Sequence, residues 1–327
     1  MNKHTKYDLK QMQSLPLSKK ILMSEQRIRE WYDYYEGNVY ISFSGGKDST
    51  VLLHLVRNMY PDVEAVFVDT GLEYPEIKSF VKTIDNVTIL RPKKTFKQVI
   101  DKYGYPIISK EVSDVVYNVR KNIKDGNTNT VRYKKLHGTL LDENGNKSTY
   151  NISQWKFLLD SPFKISNKCC DIIKKSPIKQ FENLNHKKPY IGLLAEESRL
   201  RKTNWIRYGC NTFNSGSPTS NPLSFWTEND ILQYIVENNL KIADIYGNII
   251  TDGIIDNGLF KVVKYKLTGL KRTGCMFCMF GVQLEKEPNR FQRMKITHPK
   301  IYDYCLKPKN EGGLGLKEVL DYINVKY

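Results

Sequence analysis

Residues 1 to 37 carry apolar side chains at helical spacing, Ile21, Met23, Ile28, Trp31 and Tyr35, on a polar background. The run stops at Glu36-Gly37, and glycine is the usual residue just past a helix end. This predicts an N-terminal helical arm over 1–37. The period then changes. Residues 39 to 43 form a β-branched and aromatic run, residues 44 to 49 break it, and Val51, Leu52, Leu55, Val56 and Met59 return at helical spacing. A second apolar run over 65 to 68 ends at Asp69-Thr70-Gly71, a helical pattern covers 74 to 84, and 87 to 90 reads as a third strand. Strands alternating with helices at this spacing predict a parallel sheet with right-handed crossovers.

Residues 117 to 150 break the alternation. They hold seven Lys or Arg against three acids, with the turn sequence Glu143-Asn144-Gly145-Asn146 between two short apolar segments, and predict an inserted basic hairpin. The α/β pattern returns with a strand over 190 to 194 that ends in Glu196-Glu197-Ser198. A helix follows Trp226, with Thr227 and Asp230 in capping-box positions. From about 241 the chain is Gly- and Lys-rich and reads as a separate lobe. The expected organisation is an arm at 1–37, an α/β domain at 38–240 with its insertion, and a C-terminal lobe at 241–327.

At 327 residues, with 40% apolar and 26% charged side chains, the chain is long enough for a large core and is unlike collagen, coiled coils or disordered chains. No apolar run approaches the ~18 residues a membrane span needs, and the N-terminus lacks a secretory h-region, so a cytoplasmic protein is expected. The 51 Lys and Arg against 35 Asp and Glu leave a net charge of +16, a field that concentrates nucleotides and polyanions. Six cysteines in such a chain point to metal or redox chemistry more than to a disulfide framework.

Ser44-Gly45-Gly46-Lys47-Asp48-Ser49 lies between a buried strand and a helix. Backbone N–H groups at a helix start, with glycine allowing close approach, make an anion cradle. It is not a Walker A loop, because Asp48 follows Gly46-Lys47 where Ser or Thr would stand. The second signal is four thiols, Cys169-Cys170 and Cys275-Met276-Phe277-Cys278, enough soft ligands for an iron–sulfur cluster or a zinc ion.

The loop resembles the PP-loop of the adenine nucleotide alpha hydrolases. Residues 66 to 76, with Asp69-Thr70-Gly71, resemble a segment of the phosphoadenosine phosphosulfate (PAPS) and adenylylsulfate reductase family within that superfamily. Glu197, Ser198 and Arg201 match that family's Glu-Ser-x-x-Arg, and Pro222-Leu223 with Trp226-Thr227 match its Pro-Leu-x-x-Trp-Thr. Leu194 stands where the family often has Arg, which removes one anion clamp. The resemblance implies a Rossmann-like α/β fold of the HUP type, with helices on both faces of the sheet. It also implies an adenine nucleotide, ATP in the first reading, bound by Ser44, Gly45, Gly46, Lys47, Asp48, Ser49, Asp69, Glu197, Ser198 and Arg201. Lys47 would neutralise phosphate charge and Asp48 would hold Mg²⁺, the two catalytic residues of the reading.

The adjacent pair Cys169-Cys170, followed by Lys174 and Pro177, together with Cys275 and Cys278, resembles the cluster-binding set of the adenylylsulfate reductases. That implies a [4Fe-4S] cluster on these four cysteines. Cys210 and Cys305 read as small buried side chains, and the five histidines show no metal spacing, His54 being a packing residue.

Three functions are open. In the first, an acceptor attacks the α-phosphorus of ATP, pyrophosphate leaves, and sulfur displaces AMP. PP-loop proteins with clusters include transfer RNA thiolation enzymes and the cluster-containing component of DNA phosphorothioation systems, so a nucleic-acid substrate and a sulfur donor are implied. In the second, an APS/PAPS reductase releases sulfite with a thioredoxin-like reductant. This requires the family's C-terminal Glu-Cys-Gly nucleophile, absent after Cys305 here. The third is a non-catalytic nucleotide-binding regulator.

Overall fold

A computed structural model describes residues 2–256 and 261–327, and the chain divides into two compact units that interleave along the sequence. The first comprises Met1–Asp69, Glu73–Arg91 and Ile178–Thr273, the second Thr70–Leu72, Pro92–Pro177 and Gly274–Tyr327. Of the C-terminal lobe expected from 241, residues up to 273 thus cluster with the first unit and the remainder with the second.

The first unit is built on a six-stranded sheet. Its strands are β1 (Val39–Ser42), β2 (Ala65–Val68), β3 (Val87–Leu90), β4 (Lys188–Ile191), β5 (Asn211–Thr212) and β6 (Thr219–Ser220), in the order β3-β2-β1-β4-β6-β5. All neighbouring strands are parallel except β5 and β6. Alternate side chains explain why both faces are covered. Val39, Ile41, Ala65 and Phe67 join the main core, while Tyr40 and Val66 point the other way and pack with Phe181 of helix Ser176–Asn185. The chain runs from β1 outward to β3 and returns to β4 on the opposite side of β1, so the strand order reverses between β1 and β4. Open α/β sheets bind ligands at the carboxyl ends of the strands flanking such a reversal.

The expected arm is two helices, Lys6–Ser14 and Leu17–Tyr34, divided at Leu15-Pro16 because proline cannot donate a helical hydrogen bond. They are part of the core. Ile28 and Trp31 are fully buried, and truncating a tryptophan so placed costs about 3–5 kcal/mol. Ser24 Oγ accepts from the Trp226 indole and donates to the Pro222 carbonyl, while buried Lys20 meets Asp230 at 2.6 Å. The Pro-Leu-x-x-Trp-Thr segment is therefore the dock of helix Leu17–Tyr34. Thr227 and Asp230 cap helix Glu228–Glu237 reciprocally, as their spacing predicts. An antiparallel ribbon, Ile249–Asp256 with Lys261–Leu267, follows.

The second unit is mainly helical. The basic segment expected as a hairpin at 117–150 is formed by the end of helix Lys110–Lys124, by helix Val131–His137 and by one antiparallel bridge, Leu141 to Lys147. Val112, Val115, Val116 and Val119 are buried along one helical face, and that burial outweighs the modest helix penalty of β-branched residues. The Arg120 guanidinium donates to the carbonyls of Leu158, Leu159, Ser161 and Phe163, tying this helix to residues 153–163. A short parallel pair, Ile107–Ile108 with Met279–Phe280, lies beside the segment carrying the second cysteine pair.

Candidate functional site

The glycine loop runs from the end of β1 to helix Lys47–Met59, at the reversal in the sheet. Gly45 has φ +70°, and a Cβ there would lie 2.7 Å from Ile77 and 2.8 Å from Val81, so the turn tolerates no side chain. The Ser49 hydroxyl accepts from the Ser44 N–H and donates to the Gly46 carbonyl, which closes the loop on itself. Among the described residues, the N–H groups of Asp48 and Ser49 meet no protein acceptor. Two open donors at the positive end of a thirteen-residue helix are suited to phosphate oxygens.

Lys47 is buried, and its ammonium lies 3.1 Å from Asp48 and 3.6 Å from Glu228. The two carboxylates share the buried cation, and an anion that binds the ammonium has to displace one of them. Glu228 carries no motif signature. Only the packing of helix Glu228–Glu237 on helix Lys47–Met59 brings it to the loop. Its own N–H donates to Glu196, whose carboxyl is pushed above the usual range by burial and by the charges of Glu228 and Asp230.

The segment after β4 supplies Glu197, Ser198 and Arg201. Ser198 caps helix Arg199–Tyr208 by accepting from the Arg201 N–H, while Glu197 pairs with Arg201 and approaches Arg272 at 3.9 Å. Burial, then Arg272, lowers the Arg201 pKa, while Asp48 acts the other way. The loop and the Glu-Ser-x-x-Arg segment are thereby electrically coupled. Asp69, at the carboxyl end of β2, is paired with Lys78 at 2.8 Å and lies 3.9 Å from Arg91. Tyr246 and Thr273, which carry no sequence signature either, reach the loop from 244–273: the Tyr246 oxygen lies 3.1 Å from the Lys47 N–H and 2.7 Å from the Thr273 hydroxyl.

The four cysteines lie in the second unit. Cys169 and Cys170 open a helix that passes through a π turn at Asp171–Lys175, so both thiols sit at a positive helix end. Cys275 and Cys278 are joined by a tight turn in which the Cys278 N–H donates to the Cys275 carbonyl. The Met276 N–H donates to the Leu72 carbonyl, and Arg290 donates to the Cys278 carbonyl at 2.7 Å while pairing with Glu285. Burial pushes the Cys169 thiol up, and Cys170, Cys275 and Cys278 push it further, while Lys174 pulls it down. The two pairs are thus electrostatic neighbours within one unit. Four thiols with a lysine beside them fit an iron–sulfur cluster in donor chemistry, although among the described residues no group of three or more His, Cys, Asp or Glu is spaced to hold a single ion.

The remaining cysteines differ from these. Cys210 is buried and accepts from the Ser224 hydroxyl, Cys305 is fully buried, and burial raises both thiols. His54 packs as expected, with Nδ1 at 2.8 Å from the Tyr234 hydroxyl, and burial lowers its pKa. Among the described residues no helix is long and apolar enough to cross a membrane.

Comparison with known proteins places these features in a family. The family model described as phosphoadenosine phosphosulfate reductase domain matches residues 38–121 and 110–279. An adenosine 5'-phosphosulfate reductase of Staphylococcus epidermidis is 28% identical over 225 residues, 67% of this chain and 70% of its own length. A reductase of the same description from Bacillus cereus is 24% identical, covering 66% of this chain and 70% of its own. An uncharacterized protein of Methanocaldococcus jannaschii is 35% identical over 86 residues, where the chain spans 21% of the archaeal protein. The crystal structure of a PAPS reductase from Candida auris, in a phosphate complex, aligns over 73% of this chain and 90% of its own at 14% identity, with a TM-score of 0.38, too low to bear on the site. With the model matched across both the loop and the cysteine pairs, the chain belongs to the phosphoadenosine phosphosulfate reductase domain family of PP-loop proteins.

Proposed function

We propose that the chain is an ATP-splitting PP-loop enzyme that activates an acceptor for sulfur transfer. The carrying observation is the pair of open N–H groups on Asp48 and Ser49 next to the buried Lys47 ammonium, a seat for the phosphates of a nucleotide at the sheet's reversal. The acceptor oxygen attacks the α-phosphorus, the bond to the β-phosphate oxygen breaks, and pyrophosphate carries away the electron pair. The loop N–H groups and Lys47 stabilise the charge gathering on the leaving pyrophosphate. Asp48, exchanging its contact with Lys47, is the residue to hold Mg²⁺, and Arg201 neutralises a further phosphate oxygen once it leaves Glu197. A sulfide-level donor then attacks the activated atom of the acceptor: the new bond to sulfur forms as the bond to the adenylated oxygen breaks, AMP leaves with the electron pair, and no oxidant or reductant is consumed.

Cys169, Cys170, Cys275 and Cys278 are the residues that would hold a [4Fe-4S] cluster, which when bound supplies electron transfer or a site for sulfur. The +16 charge supports a nucleic acid as acceptor. A second reading, reduction of adenylylsulfate or its 3'-phosphate with release of sulfite, is favoured by the activity in the relatives' descriptions. It needs a thiolate that can reach the sulfur, and the two cysteines outside the cluster set are buried with raised pKa values.

The test offers the purified, iron-replete chain ATP with nucleic acid and, separately, adenylylsulfate and its 3'-phosphate with thioredoxin. Pyrophosphate release in the first arm supports adenylation. Sulfite in the second replaces it with reduction, and nucleotide binding without either product leaves a regulator.

A further inference from the structure

Helix Lys47–Met59 begins on Gly46, whose φ of −80° and ψ of 155° suit any residue, yet Gly46 provides no side-chain cap. Serine, threonine, aspartate or asparagine at a helix start bonds the N–H of the second or third helical residue. Here those are the N–H groups of Asp48 and Ser49, the two left open to an anion. Glycine therefore forgoes a cap and keeps the donors.

The helix end is steadied from elsewhere in the same unit. Tyr246, 2% exposed, places its hydroxyl oxygen 3.1 Å from the Lys47 N–H, the first-position donor that a side chain at 46 does not serve. The Thr273 hydroxyl, 2.7 Å from the Tyr246 oxygen, fixes it in turn. A Cβ on Gly46 would lie 3.1 Å from Ser44 Oγ, 3.2 Å from the Tyr246 oxygen and 3.6 Å from Thr273 Oγ1, so the loop's own serine and the two distant hydroxyls close over the glycine.

We propose that Tyr246, held by Thr273, is the positioning residue of the loop: a helix cap supplied by a distant segment, which orders the first turn while leaving the Asp48 and Ser49 N–H groups to phosphate. The inference rests on the reading of the loop as a phosphate seat. Burial raises the Tyr246 pKa, so the phenol stays neutral and accepts from Lys47 without placing a negative charge in an anion site.

The test measures binding of inorganic pyrophosphate by titration calorimetry, well below the melting temperature, to the full chain, Tyr246→Phe, and Tyr246→Phe combined with Gly46→Ser. Phenylalanine keeps the ring packed and removes only the hydroxyl. Expected are tight binding by the parent chain, about tenfold weaker binding by Tyr246→Phe, and a Tm lower by a few degrees. Adding Gly46→Ser restores the Tm through an ordinary cap but weakens binding further, because the serine takes an N–H the anion needs. Unchanged affinity in Tyr246→Phe, or recovery of both Tm and affinity in the double variant, overturns the positioning role. Failure of the parent chain to bind pyrophosphate overturns the phosphate seat itself.

Discussion

The glycine loop and the cysteine set are built by opposite means. The loop is six consecutive residues whose shape follows from local chemistry: a left-handed glycine, a serine that bonds its own turn, and a helix start. The cysteine set is non-local. Cys169-Cys170 open one helix, Cys275 and Cys278 sit on a turn held by Leu72 and Arg290, and only folding of the second unit makes them neighbours. The turn of the loop is specified by its own neighbouring residues and only steadied from afar by Tyr246 and Glu228, whereas the cysteine set depends on distant contacts throughout.

The largest expected effect lies in the non-local site. Cys278→Ser should abolish iron, acid-labile sulfide and brown colour in anaerobically purified protein while pyrophosphate binding stays within about twofold. Asp48→Asn should do the converse, retaining colour and losing about tenfold or more in Mg²⁺-dependent nucleotide turnover. If each variant loses both properties, the two sites are one cooperative structure and the contrast fails.

Gly45→Ala should cost roughly 3 kcal/mol, combining backbone strain with a clash against Ile77 and Val81, and should depress pyrophosphate affinity along with Tm. Retention of parental Tm would show that the turn is less rigid than its geometry. Arg290→Ala should cost about 1–2 kcal/mol by freeing the Cys278 carbonyl, read as faster loss of colour under a chelator with no change at the loop.

The smallest effect is a pH dependence. Burial lowers the His54 pKa below 6.5, so the folded chain binds fewer protons than the unfolded one. Its contribution is full above that value and falls as the pH drops through it toward the folded pKa. Urea melts of the parent chain and His54→Gln between pH 5 and pH 8 (roughly the range in which histidine titrates) should diverge only at the acid end. Parallel curves would place the proton elsewhere.

Much of the first unit was legible in the chain. The runs over β1, β2 and β3 and the Thr227–Asp230 capping box are formed as their spacing predicts, because each depends on alternation or on bonds within a few residues. In the basic segment at 117–150 the turn at Glu143–Asn146 joins one antiparallel bridge, as its signal predicts, but the residues before it are helical, because the apolar stripe of helix Lys110–Lys124 has meaning only against the surface that buries it. Glu228, Tyr246 and Thr273 had no signature at all. Each acts at the loop through long-range packing, and an isolated Glu, Tyr or Thr in sequence looks like any other.

Pattern and local chemistry alone determined that this chain forms parallel strands, with a glycine-rich loop between the first strand and the helix that follows it, and that it carries two pairs of closely spaced cysteines. Tertiary structure decided which carboxylates grip Lys47, which hydroxyl caps the loop's helix, and that both cysteine pairs fall in one unit. Short-range hydrogen bonds and side-chain alternation are written into neighbouring residues. Contacts between distant segments arise only when burial of apolar surface brings those segments together.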